Sequence, residues 1–163
     1  MFGDKFLNRS VTIVRLLLSV QYLLSGFNWW VKILPFPSVN DPPAPFYKSP
    51  IMPAMIEMGW MMPLVKSIEI ATGLALLFDL FVPLMLVVSF PVAFMTFLLD
   101  AFILQYVWGW LTGSVSSAVM IAHVLDMVYF GGVVVLMQGY LMLAYLPKHY
   151  VGLFARKGVV SEL

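Results

Sequence analysis

The sequence predicts an all-α integral membrane protein, a four-helix bundle with a Pro-rich outer-side linker between helices one and two. Three observations predict it. Of the 163 residues, 62% are hydrophobic and 10% charged, whereas soluble domains run near 45–50% and about 25%. Mean hydropathy is +0.96. Four apolar runs each reach the ~20 residues that, rising ~1.5 Å apiece, cross a ~30 Å hydrocarbon layer. The chain reads as one membrane domain, residues 1–163.

The first run spans about Val11 to Val31. The flank before it, MFGDKFLNRS, has the charge layout of a signal sequence. The run continues into SGFNWWVK without a small-residue cleavage pattern, so it reads as an uncleaved helix. A linker follows with Pro35, Pro37, Pro42, Pro43, Pro45, Pro50 and Pro53. Proline at that density opposes regular helix or strand and predicts an extended or looped cap.

The second run, Pro63 to Val82, is the most informative, because it carries Lys66, Glu69 and Asp79 inside an apolar stretch. Charges at such depth face a bundle interior, a partner charge or a water-filled cavity. A turn at Phe81-Val82-Pro83 leads to a third run, Leu84 to Tyr106, with Pro91 placed to kink it. Trp108 to Gly113 forms a short turn. The fourth run, Ser116 to Tyr145, is ~45 Å long if fully helical. That exceeds the bilayer, so it tilts, protrudes or breaks near Gly131-Gly132 or Gly139.

Basic residues set the orientation. Lys5, Arg9 and Arg15 flank the first run, and Lys148, Arg156 and Lys157 follow the last. An even number of crossings puts both termini on one side, and the positive-inside rule makes that side cytoplasmic. The expected location is a bacterial or archaeal inner membrane, crossed several times. A net charge of +1 without basic clusters excludes a nucleic-acid partner. The absence of cysteine excludes disulfides, thiolate metal sites and a cysteine nucleophile.

With that topology, Glu69, Asp100, His123 and Asp126 fall ~9–15 Å below the outer helix ends, in one slab drawn from three helices. His123 and Asp126, three apart, share a face. Near the inner side, Arg15 and Asp79 form a second possible pair. One reading pairs everything off: Lys66 or Lys32 neutralises Glu69, Arg15 neutralises Asp79, and His123 hydrogen-bonds Asp126 or Asp100. Polar groups do fix helix packing in this way. The other reading counts charge. Three outer carboxylates face two lysines, which calls for a protonated acid or a further ligand. A neutral acid beside a histidine suits proton exchange with a quinone headgroup. On that reading Glu69, Asp100, His123 and Asp126 are the catalytic candidates, and Glu69, Lys66 and His123 would bind the quinone. A carboxylate–histidine metal site is disfavoured, because the paired Glu-x-x-His motifs of di-iron bundles are missing.

Met52, Met55, Met58 and Met61 recur every third residue, with Met62 adjacent. Such thioethers suit Cu(I). They equally suit a short amphipathic helix on the bundle, filling irregular gaps. Trp29, Trp30, Trp60, Trp108 and Trp110 fall at outer-side ends, as an aromatic belt would.

Arg15-Leu16-Leu17-Leu18 running to Ser25-Gly26, then Ile68-Glu69-Ile70-Ala71-Thr72-Gly73-Leu74-Ala75-Leu76-Leu77, resembles the DoxX/DoxD-like family of small four-helix membrane proteins. The likeness covers about Val11 to Tyr106, with a compatible fourth helix. Where that family often has a lysine three residues after the helix-one glycine, this chain has Trp29, and its nearest lysine is Lys32. The resemblance implies a membrane subunit associated with oxidoreductases, such as the thiosulfate:quinone oxidoreductase subunits. It carries over Glu69 and Gly73, and less firmly Arg15. Gly73 removes a side chain so that a neighbouring helix approaches closely. The expected function is thus a subunit of a quinone-linked respiratory or sulfur-oxidising complex. Its partners would be the lipid bilayer and other membrane or peripheral redox subunits. The alternative is a non-catalytic accessory subunit packed against a larger redox or photosynthetic complex. A small-solute transporter would show inverted repeats, which this sequence lacks.

Overall fold

The computed structural model describes residues 2–33, 51–100, 103–126 and 131–146; side chains at 2–6, 51–53, 99–100, 103–105, 122–123 and 125–126 lie outside that description. Seven helices and no strands occur among the described residues. They are α1 (Phe2–Trp30), α2 (Ile51–Glu57), α3 (Met61–Phe78), α4 (Val82–Asp100), α5 (Ile103–Leu111), α6 (Ser117–Asp126) and α7 (Val133–Tyr145). Two helices are long and apolar enough to cross a membrane, α3 and the Leu7–Trp30 part of α1; the apolar stretches Val82–Leu98 and Val133–Tyr145 are shorter.

Several expected boundaries are corrected. Helix α1 starts at Phe2 rather than near Val11, because nothing in the polar flank breaks a helix. The looped-cap expectation gives way at α2, where the short helix expected of the methionine segment forms and winds through Pro53. That proline falls in the first turn, where a missing N–H costs no helical bond. The rest of the Pro-rich linker, residues 34–50, lies outside the described residues. Helix α3 stops at Phe78 instead of Val82: Asp79 adopts left-handed φ 59°, and both its N–H and that of Leu80 bond to the Ala75 carbonyl. This closes the last turn as glycine usually does, with aspartate tolerating the conformation. Phe81, φ 50°, completes the reversal, and Pro83 then sits in the first turn of α4. The described parts of the third run are α4 and the start of α5, and those of the fourth are α6 and α7; residues 101–102 and 127–130, where these would join, lie outside the described residues. Gly131 and Gly132 open α7 in a wider, π-type turn. Pro91 stands inside α4, which continues through it.

Helix α1 packs on α3, α3 on α4, α4 on α7 and α7 back on α1, so four helices close a ring; α5 packs on α6 and α2 on α3. The α1–α3 contact is antiparallel. Going up α1, Arg15 meets Asp79, Ser19 meets Gly73, and Gly26 meets Ile70. Two glycines let these backbones approach. A Cβ on Gly73 would sit 2.7 Å from Leu23 Cγ and 3.1 Å from Leu23 N; one on Gly26 would sit 2.6 Å from Ile70 Cγ1 and 3.1 Å from the Lys66 carbonyl. The close approach expected at Gly73 is present.

The ring interior is mixed, an apolar core with fully buried polar groups among it. Leu18, Leu76, Leu86 and Leu141 are fully buried, but so are Ser19, Thr72, Ser89 and Gln138. Outside, Leu17, Val20, Leu74, Phe94, Leu136 and Leu143 are exposed, Leu136 to 73%.

Candidate functional site

The best-defined polar cluster is built by α1 and α3. Lys66 and Glu69 stand three apart, on one helix face, and the glycine-mediated approach of α1 brings Ser25 to the same level. The Lys66 ammonium donates to both Glu69 carboxylate oxygens, at 3.0 and 2.9 Å, and to Ser25 Oγ at 2.9 Å. All three donor positions of the ammonium are thereby used. The Glu69 side chain is 6% exposed and that of Lys66 15%. Two charges in so dry a place are each costly to desolvate, and only their mutual attraction plus the extra hydrogen bond offsets that cost. Of the two lysines expected to neutralise Glu69, Lys66 does so.

The second expected pair is also formed. Arg15 of α1 bonds the carboxylate of Asp79, the left-handed residue that ends α3, with the arginine largely buried and the aspartate mostly exposed. The two pairs clip opposite ends of the α1–α3 contact. The other candidates are placed by backbone alone: Asp100 ends α4, while His123 and Asp126 lie in α6. Their side chains lie outside the described residues, so of the expected slab only Glu69 and Lys66 are brought together in view. Among the described residues no group of three or more His, Asp or Glu converges as a metal site would require.

Sequence reasoning missed a third cluster, deeper in the ring. Tyr22 of α1 donates its hydroxyl to Gln138 Oε1 at 2.6 Å; Gln138 Nε2 donates to the Leu86 carbonyl at 2.7 Å and to Ser89 Oγ at 2.9 Å. Ser89 in turn donates to the Met85 carbonyl at 2.8 Å. One buried amide thus ties α1, α4 and α7, and it uses both its donors and its acceptor. The available signal was Gln138 itself, an isolated amide inside an otherwise apolar run.

The methionine segment is divided between core and surface. Met55 and Met62 are buried against Trp29, with Ile56, Met61 and Val65 packed around them, while Met58 is exposed. That is the gap-filling arrangement, with α2 laid on the start of α3. No protein-family model, curated protein or solved structure matches this chain. Two buried donors on the α1–α3 pair, Trp29 Nε1 and Thr72 Oγ1, bond to no other group among the described residues.

Proposed function

We propose that this chain is an integral membrane protein whose α1, α3, α4 and α7 form a four-helix bundle in the bilayer, acting as a non-catalytic accessory subunit of a larger redox or photosynthetic membrane complex. The observation that supports it is the distribution of polarity. Apolar side chains face outward along α1, α3, α4 and α7, while Tyr22, Ser89 and Gln138 satisfy one another inside the ring. Lipid imposes that arrangement, because it offers no hydrogen bonds and no reward for burying leucine. The two described ion pairs are compensated one to one, which suits scaffolding better than proton exchange. Asp100, His123 and Asp126 play no part in this reading. The membrane is the inner membrane of a bacterium or archaeon, with both termini cytoplasmic, on the charge asymmetry of the flanks.

One observation favours a second reading, a DoxX-like subunit of a quinone-linked oxidoreductase. Thr72 follows Glu69 by one helical turn, and its hydroxyl and the Trp29 indole are buried donors without a partner among the described residues. Buried unsatisfied groups call for an explanation, and a quinone carbonyl would accept from either.

Mild-detergent purification from native membranes, with mass spectrometry of associated subunits and extracted quinones, tests both. Recovery inside a large complex whose activity survives Glu69→Gln supports the accessory reading. Stoichiometric quinone that is lost with Glu69→Gln overturns it in favour of the second.

A further inference from the structure

We propose that the methionines at the α2–α3 corner are a two-tier oxidation site. Met58 takes up a peroxide oxygen without structural effect, whereas oxidation of both Met55 and Met62 releases α2 from the ring. Packing at one end of the ring carries this, independently of the membrane reading above, so the two can fail separately.

The three sulfurs differ in access. Met58 is 55% exposed, while Met55 and Met62 are 6% and 5% exposed. The buried pair packs with Trp29, itself 4% exposed, and Ile56, Met61 and Val65 close around them. Helix α2 has seven residues, too few to stay helical unaided, so docking through Met55 and Ile56 is what keeps it formed. It leads to α3 through Gly59, which sits at φ 71° with nothing within 4 Å of where a Cβ would be. Glycine carries no steric penalty at that conformation, and the joint can turn without meeting a neighbour.

The cluster also covers something. Trp29 stands one turn after Ser25 on α1, and Met62 one turn before Lys66 on α3. Residues four apart share a helix face, and because the helices run antiparallel both steps lead the same way. The Met55–Met62–Trp29 cluster therefore lies as an apolar plug one turn above the Ser25–Lys66–Glu69 hydrogen bonds. Its docking helps to keep that ion pair dry.

A thioether reacts with a hydroperoxide by attacking the peroxide's outer oxygen. A sulfur–oxygen bond forms, the oxygen–oxygen bond breaks, and the proton on the outer oxygen passes to the departing one. The products are a sulfoxide and an alcohol, or water when the oxidant is hydrogen peroxide; sulfur loses the two electrons that the peroxide gains. At Met58 the new polar group faces open surface. At Met55 and Met62 it is buried, and a buried polar group without a partner is costly. The cluster holds one donor that bonds to no described residue, the Trp29 indole N–H. One N–H does not serve two sulfoxides.

The full chain in detergent micelles, treated with graded hydrogen peroxide, tests this, with sulfoxides mapped by peptide mass spectrometry. Met58 should be oxidised about tenfold faster than Met55 or Met62, which react only when α2 opens. Amide hydrogen exchange over Ile51–Glu57 should stay unchanged while Met58 alone is oxidised. It should rise about tenfold once Met55 and Met62 both carry oxygen. The Met55→Leu, Met62→Leu double variant keeps the packing and should hold exchange low through the same dose. Equal rates at all three sulfurs would show that α2 does not shield the inner pair, and overturn the two tiers. Slow exchange with both inner methionines oxidised would overturn the release. Exchange that rises in the double variant as well would place the cause at another methionine and overturn it too. Should that variant fail to fold, the order of oxidation and the exchange of the unaltered chain decide alone.

Discussion

Gln138 holds three helices through one amide, so its removal should be felt at more than one contact. Gln138→Leu leaves the Tyr22 hydroxyl without its acceptor and the Leu86 carbonyl and Ser89 hydroxyl without their donor. Interhelical hydrogen bonds in membranes contribute about 0.6 kcal/mol each, so a loss of about 2 kcal/mol is expected. Equilibrium unfolding in mixed micelles would measure it; an unchanged midpoint would mean that the amide is incidental. Lys66 behaves differently, because what matters is the charge it leaves behind. Lys66→Met strands the buried Glu69 carboxylate and should cost about 3–5 kcal/mol, whereas Lys66→Met together with Glu69→Met should recover most of that loss. A double variant no better than the single one would show that the two residues are not energetically coupled.

At the scale of elements, the α1–α3 pair depends on what is missing at Gly73. Gly73→Ala pushes a methyl into Leu23 and lengthens the Ser19 Oγ–Gly73 carbonyl bond, now 2.7 Å. The expected loss is about 1–3 kcal/mol. Adding Leu23→Ala vacates that space and should restore part of it, which the same unfolding measurement checks. This contact was legible in the sequence: a glycine one turn beyond a buried acid marks a close helix crossing. So were the two ion pairs, because charges in an apolar run must find partners and the antiparallel register left few. Other features were not. The stop at Asp79 carries no glycine or proline signal. The left-handed turn works because an aspartate there also reaches Arg15, a tertiary fact. The Tyr22–Gln138–Ser89 hub has no spacing motif, since its members come from three separate helices.

For the whole molecule, the proposed four-crossing bundle of α1, α3, α4 and α7 would put both termini on one face. Single cysteines at Gly3→Cys and Ser161→Cys, in a chain with no native cysteine, should both react with a membrane-impermeant maleimide only from the cytoplasmic side. Labelling from opposite sides would sink the four-crossing bundle. On the proposed membrane reading, the polar groups inside the ring also predict what kind of force holds it. Leucine gains little by leaving lipid for a leucine-lined interior, so shape fit at Gly26 and Gly73 and the buried polar contacts must supply the specificity.

The Arg15–Asp79 pair has a consequence in time rather than in energy. Sixty-four residues separate the two partners along the chain, and a ribosome adds about 5–20 residues per second. Arg15 is therefore made roughly 3–13 s before its counter-ion exists. On the proposed membrane reading, the nascent first helix carries through that interval a cation whose partner has not yet been made. It must be sheltered by the insertion machinery, or its arginine must reach back towards the headgroups, until the end of α3 emerges. On that reading, a sheltered arginine makes release of the first helix into lipid wait for synthesis of the second, and only its reach to the headgroups avoids the wait.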